Sequence, residues 1–283
     1  MSDKEREFEF TDRDFQNIRN LAQARAGIFL SPKKRDMVYS RIARRLRTIG
    51  LTTFEEYLEH LEDNADEAQD FINALTTNLT SFFREAHHFD LLSQQLLHLA
   101  DKRRGPIKIW SSACSTGEEA YSLAITAIET FGSWTPPVRI LATDVDTNVL
   151  AQAKSGVYAS DRVSKLDSER IKNFFIKGKG KHLGMVKVRS QLKDLIHFNS
   201  LNLLAPSWPV KGPFDAIFCR NVMIYFDKPT QYKVLSRFHP MLQEEGLLYA
   251  GHSESFQHAA DLFRLKGKTV FAPVTSKKSS DKV

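Results

Sequence analysis

The stretch Lys108-Ile109-Trp110-Ser111-Ser112-Ala113-Cys114-Ser115-Thr116-Gly117-Glu118-Glu119-Ala120-Tyr121-Ser122-Leu123-Ala124-Ile125 constrains the fold more than any other. It reads as a short apolar strand, a turn of small residues, and a helix with two carboxylates in its first turn. Such a turn leaves the backbone bare, so a ligand can lie against it at the carboxyl edge of a parallel sheet. An ordinary tight strand-to-helix turn has the same outline. Only Gly117 is glycine, where dinucleotide fingerprints carry several.

Glu118 and Glu119 narrow the choice of ligand. Acids are favoured at a helix N-terminus by the helix dipole alone. They also occupy the place where a phosphate would dock, repelling a pyrophosphate and attracting a cation or hydroxyls. S-adenosylmethionine (SAM) meets that description, with no phosphate, a sulfonium, an ammonium and a ribose diol.

From Ile107 onward strand and helix patterns alternate, as in a parallel sheet covered on both faces. Val138 to Asp144 is the second strand. Asp144 either holds a ribose diol beside the first turn or caps the next helix. Residues 157–192 interrupt the alternation with a lysine-rich insert, whose Gly178, Gly180 and Gly184 between apolar-alternating runs predict a small antiparallel element with a peptide-accepting edge. The sheet resumes at Ile196-His197-Phe198, followed by Asn202-Leu203-Leu204. Next come Phe214 to Cys219, ending in Arg220-Asn221, then Gly246 to His252, and a closing hairpin around Gly267. Residues 275–283 read as a polar tail.

The N-terminal part is helical. Thr11 caps a helix that stops at Gly27. Pro32 opens a second that ends at Gly50, Thr53-Phe54-Glu55-Glu56 is a capping box for a third, and Phe71, Ile72 and Leu75 mark a fourth. The net charge of the 283-residue chain is +6, and its distribution matters more than its size. Seven basic residues, among them Arg41, Arg44, Arg45 and Arg47, lie between Lys33 and Arg47 against one acid, Asp36. Three readings stay open for that face: a solvated surface, a nucleic-acid reader, or a dock for an acidic protein. In Thr76 to Arg84, hydroxyls and an amide crowd before Phe82-Phe83-Arg84, which suits a helix end or a segment pointing Asn78, Thr80 and Arg84 into an interdomain cleft.

Thr77-Asn78-Leu79-Thr80-Ser81-Phe82-Phe83-Arg84, Ser115-Thr116-Gly117-Glu118-Glu119, Ala142-Thr143-Asp144 and Phe218-Cys219-Arg220-Asn221-Val222-Met223-Ile224-Tyr225-Phe226 together resemble the chemotaxis receptor methyltransferases, the CheR family. The resemblance runs from about Phe15 to Val274. It implies a doubly wound, Rossmann-like SAM-dependent methyltransferase domain at 91–283, with 157–192 as a small antiparallel β insert, preceded by a helical, receptor-facing domain at 1–90. It implies transfer of a methyl group from SAM to receptor glutamate carboxylates. On this basis Asn78, Thr80, Arg84, Glu119, Asp144, Asn202, Leu203, Arg220 and Asn221 contact the cofactor, and Arg84 and Tyr225 lie nearest the methyl. Arg41, Arg44, Arg45 and Arg47 would face the receptor's acidic helices, while Gly178, Gly180 and Gly184 would tether its C-terminal peptide. Ala120 stands where several relatives carry proline, and alanine suits a helix N-terminus equally.

Methylating a carboxylate is an in-line displacement by a nucleophile already ionised at neutral pH, so no general base is needed and none is evident around these motifs. Two rival readings are an RNA or small-acid methyltransferase and a non-catalytic SAM-binding scaffold. The charged N-terminus and lack of a long apolar run predict a cytoplasmic protein that does not insert into membrane; it is separately expected to act as a monomer without nucleic acid. Cys114 and Cys219 are too few for a disulfide framework, and no metal is expected. Both are expected at one sheet edge near the cofactor, where their oxidation would block it.

Overall fold

The structure is a computed structural model that describes residues 6–102 and 105–275, so residue 276 and the rest of the expected polar tail lie outside the described residues. Its N-terminal helices are α1 (Asp12–Ala26), α2 (Arg35–Ile49), α3 (Phe54–Asp63) and α4 (Ala65–Leu75). Thr11 and Asp14 form a capping box, and Gly27 ends α1 in a left-handed conformation. A second box pairs Thr53 with Glu56. Pro32 opens a single 3-10 turn rather than α2 itself, which starts three residues later. Phe15, Ile18, Val38, Ile42, Leu46, Tyr57 and Phe71 close a helical core of their own.

The connecting helix α5 (His87–Lys102) leads into β1 (Ile107–Ser111), α6 (Glu118–Phe131), β2 (Val138–Asp144) and α7 (Thr147–Ser155). The insert follows as β3 (Val157–Ala159), α8 (Ser168–Phe174), β4 (Phe175–Lys177) and β5 (Met185–Val188), with the short α9 (Ser190–Lys193) leading out. The chain ends with β6 (Ile196–Ser200), β7 (Phe214–Cys219), α10 (Lys228–Phe238), β8 (Leu242–Ala250), β9 (Phe263–Gly267) and β10 (Val270–Pro273). β8 begins at Leu242, four residues before the expected Gly246, with a register irregularity against β7.

The main sheet runs β6-β2-β1-β7-β8-β10-β9. Its first five strands are parallel, and β10 and β9 add an antiparallel edge. β1 therefore sits at the point where strand order reverses, the place where such sheets bind ligands. Side chains of β1 and β7 alternate between two cores, with Ile109, Ala216 and Phe218 on one face and Trp110, Ile217 and Cys219 on the other. Trp110 is fully buried, and its indole N–H donates to Thr143 Oγ1 at 3.0 Å. The insert is a three-stranded antiparallel sheet, β3-β5-β4, docked on the first core through Tyr158, Phe175, Val186 and Val188. Among the described residues, no helix is long and apolar enough to cross a membrane.

Candidate active site

A cleft opens where the carboxyl ends of β1, β2, β6 and β7 face the helical part. Its floor is the turn after β1. Ser115 and Gly117 both adopt positive φ, at 49° and 95°. A Cβ on Gly117 would sit 2.8 Å from Ala153 Cβ and 3.0 Å from the Tyr158 hydroxyl, so conformation and space both require glycine. The insert secures this turn, because Tyr158 donates to the Thr116 carbonyl at 2.7 Å.

The two glutamates that follow do different work. Glu118 is fully buried, accepts from Thr116 Oγ1 and pairs with Arg162 of the insert. It is a structural group, which corrects the expectation of two carboxylates facing the ligand. Glu119 lines the cleft, accepting from Ser111 Oγ at 2.7 Å and from Arg220 Nη1 at 3.0 Å. Arg220 also donates to the Arg84 carbonyl, so the end of β7 holds the segment carrying Arg84.

Asp144 accepts from the Ser115 amide at 2.7 Å and the Asp146 amide at 3.0 Å. Burial pushes its carboxyl up to about 6, despite those two hydrogen bonds. The helix-cap alternative belongs to its neighbour, since Asp146 Oδ1 accepts from the amides of Asn148 and Val149. Asp146 Oδ2 accepts from Thr76 Oγ1 at 2.6 Å and Asn78 Nδ2 at 2.7 Å, tying the Thr76–Arg84 segment to the sheet.

All ten residues expected at the cofactor and methyl line this one cleft: Asn78, Thr80, Arg84, Glu119, Asp144, Asn202, Leu203, Arg220, Asn221 and Tyr225. Arg84 is flanked by left-handed Phe83 and Glu85, at φ 51° and 57°. Its Nη1 donates to the Leu79 carbonyl at 2.8 Å. Asn202 is also bonded within the protein, from Nδ2 to the Arg25 carbonyl, joining the helical part to the sheet.

Sequence reasoning passed over two functional supports. Glu254, buried, accepts from the amides of Gly251, Asn221, Val222 and Met223, and so fixes the left-handed Asn221 and the turn leading to Tyr225. The Gly251-His252-Ser253-Glu254 spacing at a strand end was the available signal. Lys34 lines the cleft, with its ammonium 5.2 Å from the Tyr225 ring centroid.

The basic face of α2 needs correcting. Arg45 binds Glu67 with two nitrogens, at 2.9 and 2.5 Å, and Asp70 at 2.7 Å, while Tyr57 donates to Glu67 at 2.9 Å. Arg41 donates to the Ala74 carbonyl at 3.0 Å and to that of Thr76, at the end of α4. Both guanidiniums are held inside the helical core's rim rather than presented. Arg44 and Arg47 are exposed, and Arg47 pairs with Glu7 at 2.9 Å.

The cysteine expectation is corrected too. β1 and β7 are neighbours, but Cys114 packs in one core and Cys219 in the other, both buried, and neither lines the cleft.

The donor set fits SAM. Toward the sheet the cleft offers the carboxylates Glu119 and Asp144, and Glu119 already neutralises Arg220 beside them, an arrangement that disfavours a pyrophosphate at that wall.

Comparison with known proteins agrees. Residues 78–272 match the family model described as CheR methyltransferase, SAM binding domain, and residues 13–76 match CheR methyltransferase, all-alpha domain. The chain is 50% identical over 264 residues to the chemotaxis protein methyltransferase of Escherichia coli, covering 93% of this chain and 91% of that protein. It is 49% identical over 267 residues to chemotaxis protein methyltransferase 2 of Pseudomonas aeruginosa, covering 94% and 95%. Its identity to the Salmonella typhimurium chemotaxis protein methyltransferase is 50% over 264 residues, covering 93% and 90%. The chain thus belongs to the CheR methyltransferase family and is a SAM-dependent methyltransferase of chemotaxis.

Proposed function

We propose that the protein esterifies glutamate side chains on the cytoplasmic helices of chemoreceptors. The cationic groups of the cleft carry this reading. Of Lys34, Arg84 and Arg220, only Arg220 is balanced by a carboxylate among the described residues, which leaves Arg84 and Lys34 to draw in an anionic side chain beside Tyr225. A carboxylate is ionised at neutral pH, so it attacks without first losing a proton.

Bound SAM supplies a methyl group made electrophilic by its sulfonium. The chain's own residues align and desolvate. Asp144 accepts hydroxyl bonds from a diol, Glu119 and Arg220 fix the wall of the cleft, and Asn78, Thr80, Asn202, Leu203 and Asn221 complete it. Arg84 orients the incoming carboxylate, and the Tyr225 ring shapes the methyl's path. Overbinding the carboxylate would lower its nucleophilicity, so Arg84 serves positioning more than neutralisation.

Residues 1–90 present the receptor-facing surface, where Arg44 and Arg47 are the exposed arginines of α2 and Arg41 is held against the end of α4. Residues 91–283 hold the donor together with Asn78, Thr80 and Arg84. The loop of Gly178, Gly180 and Gly184, with Leu183 and Ile176 exposed beside it, suits capture of a receptor's C-terminal peptide against the β4 edge. The protein acts in the cytoplasm as a monomer.

Incubation with labelled SAM and a receptor cytoplasmic fragment, with and without its C-terminal tail, tests this reading. Base-labile label on the receptor is expected. Base-stable label, or label on RNA or a small acid instead, would overturn it.

A further inference from the structure

Beneath the segment that carries Arg84, three metal-ligating side chains converge outside the cleft. Ligand atoms of Glu85, His87 and His88 lie within 4.8 Å of one another. His88 is fully buried, and Glu85 is 11% exposed. Neither they nor His87 line the cofactor cleft.

Hydrogen bonding fixes the state of His88. Its Nε2 lies 3.0 Å from the Lys268 carbonyl, which only accepts, so Nε2 carries the proton. Nδ1, the other ring nitrogen, then presents a lone pair in the neutral ring. Nδ1 faces Glu85 Oε2 at 3.6 Å, and neither atom has a hydrogen-bond partner. Glu85 Oε1 accepts from the His252 amide at 3.3 Å, and Arg220 Nη2 lies 3.5 Å from Oε2, contacts that suit a carboxylate. Two buried acceptors pointing at each other repel, and the Arg220 guanidinium, 3.5 Å from Oε2, hydrogen-bonds to neither.

We propose that Glu85, His87 and His88 form a binding site for a zinc-class divalent cation. Two imidazoles and one carboxylate suit zinc, cobalt or nickel and do not suit magnesium or calcium, which take all-oxygen shells. Ligand atoms around a tetrahedral zinc stand ~3.3 Å apart, from metal–ligand bonds of about 2.0–2.2 Å. The Glu85–His88 pair is already near that separation. His87 is half-buried with its ring centroid 4.2 Å from that of His88, and its ligand atom lies within 4.8 Å of those of Glu85 and His88. Lys268 acts as the outer partner that orients His88, the role backbone carbonyls play behind metal-bound histidines.

One charge opposes the cation. Arg220 Nη2 lies 3.5 Å from Glu85 Oε2. Its guanidinium is already matched by Glu119, which lessens the repulsion, and the expected affinity is weaker than that of a structural zinc site. A bound cation would draw Glu85 away from Arg220, and Arg220 holds the Arg84 carbonyl. Metal occupancy therefore bears on the cleft through Arg220.

The test is equilibrium dialysis of the tag-free, full-length, chelator-treated protein against zinc, with metal counted per chain, and cobalt absorption as a report on ligand geometry. One zinc per chain is expected, with a tetrahedral cobalt spectrum. His87→Ala and Glu85→Gln should each weaken binding at least tenfold while their melting curves in chelator match their own metal-free circular dichroism. His98→Ala, at an exposed histidine beside Glu245, should leave binding unchanged. Substoichiometric zinc, or binding that His87→Ala leaves intact, would overturn the proposal and show that a proton or water relieves the buried contact.

Discussion

The proposed contact of Asp144 with the cofactor's diol predicts an affinity that depends on pH. The Asp144 carboxyl is 7% exposed and titrates at about 6, where an ordinary aspartate titrates near 3.8. If the ionised form accepts a diol, affinity follows the ionised fraction, which falls from about 0.9 at pH 7 to about 0.1 at pH 5. SAM should therefore bind about tenfold more weakly at pH 5, or ~1.4 kcal/mol. The donor's own groups barely change over that window, since an α-amino group titrates near 8 and an α-carboxyl near 3.5. Stability carries the same signature. A carboxyl raised in the fold contributes stability that is complete below 3.8 and is lost as pH climbs through about 6, by up to ~3 kcal/mol in the cofactor-free protein. Glu67 and Glu85 are held low and act in the opposite sense, losing stability as pH falls. The reading therefore rests on the difference between the wild type and Asp144→Asn. Asparagine offers one acceptor to the Ser115 and Asp146 amides, so one goes unmet at a cost of about 1–3 kcal/mol, but the pH slope should disappear. Calorimetric SAM titrations from pH 5 to 7 decide it. A flat wild-type affinity, or a slope that survives in Asp144→Asn, would refute the argument.

Three other outcomes follow from named contacts. Gly117→Ala forces a Cβ to 2.8 Å from Ala153 and onto positive φ, and should lower stability by about 3–5 kcal/mol and weaken SAM binding, read by urea melts and titration. Glu254→Ala strips the acceptor from four backbone amides and should destabilise by 3 kcal/mol or more on the ~1–3 kcal/mol scale per unmet buried group; retention of full turnover and stability would contradict its role under Tyr225. Arg45→Ala should lower the melting temperature by breaking a part-buried pair of ~3 kcal/mol, whereas Arg44→Ala should leave melting unchanged and raise KM for the receptor fragment.

How much was legible in the sequence depended on whether a residue's role is local or set by its neighbours. Capping boxes at Thr11 and Thr53, left-handed stops at Gly27 and Gly50, and the strand periods of β1, β2 and β7 are decided within a few residues, and the sequence carries them directly. The cleft membership of Asp144 and Arg220 follows from strand ends that a parallel sheet must bring to one edge. Partnership is another matter. Glu118 and Glu119 are adjacent and alike, yet a helix turns consecutive side chains about 100° apart, so one meets the insert's Arg162 and the other meets Arg220. Arg45 and Arg44 diverge for the same reason, and only the distant Glu67 and Asp70 reveal which is held inside. Cys114, in the turn after β1, and Cys219, at the end of β7, likewise pack in opposite cores. A charge cluster in a sequence therefore counts the charges available; the residues thirty or a hundred positions away determine how many reach the surface where a receptor could meet them.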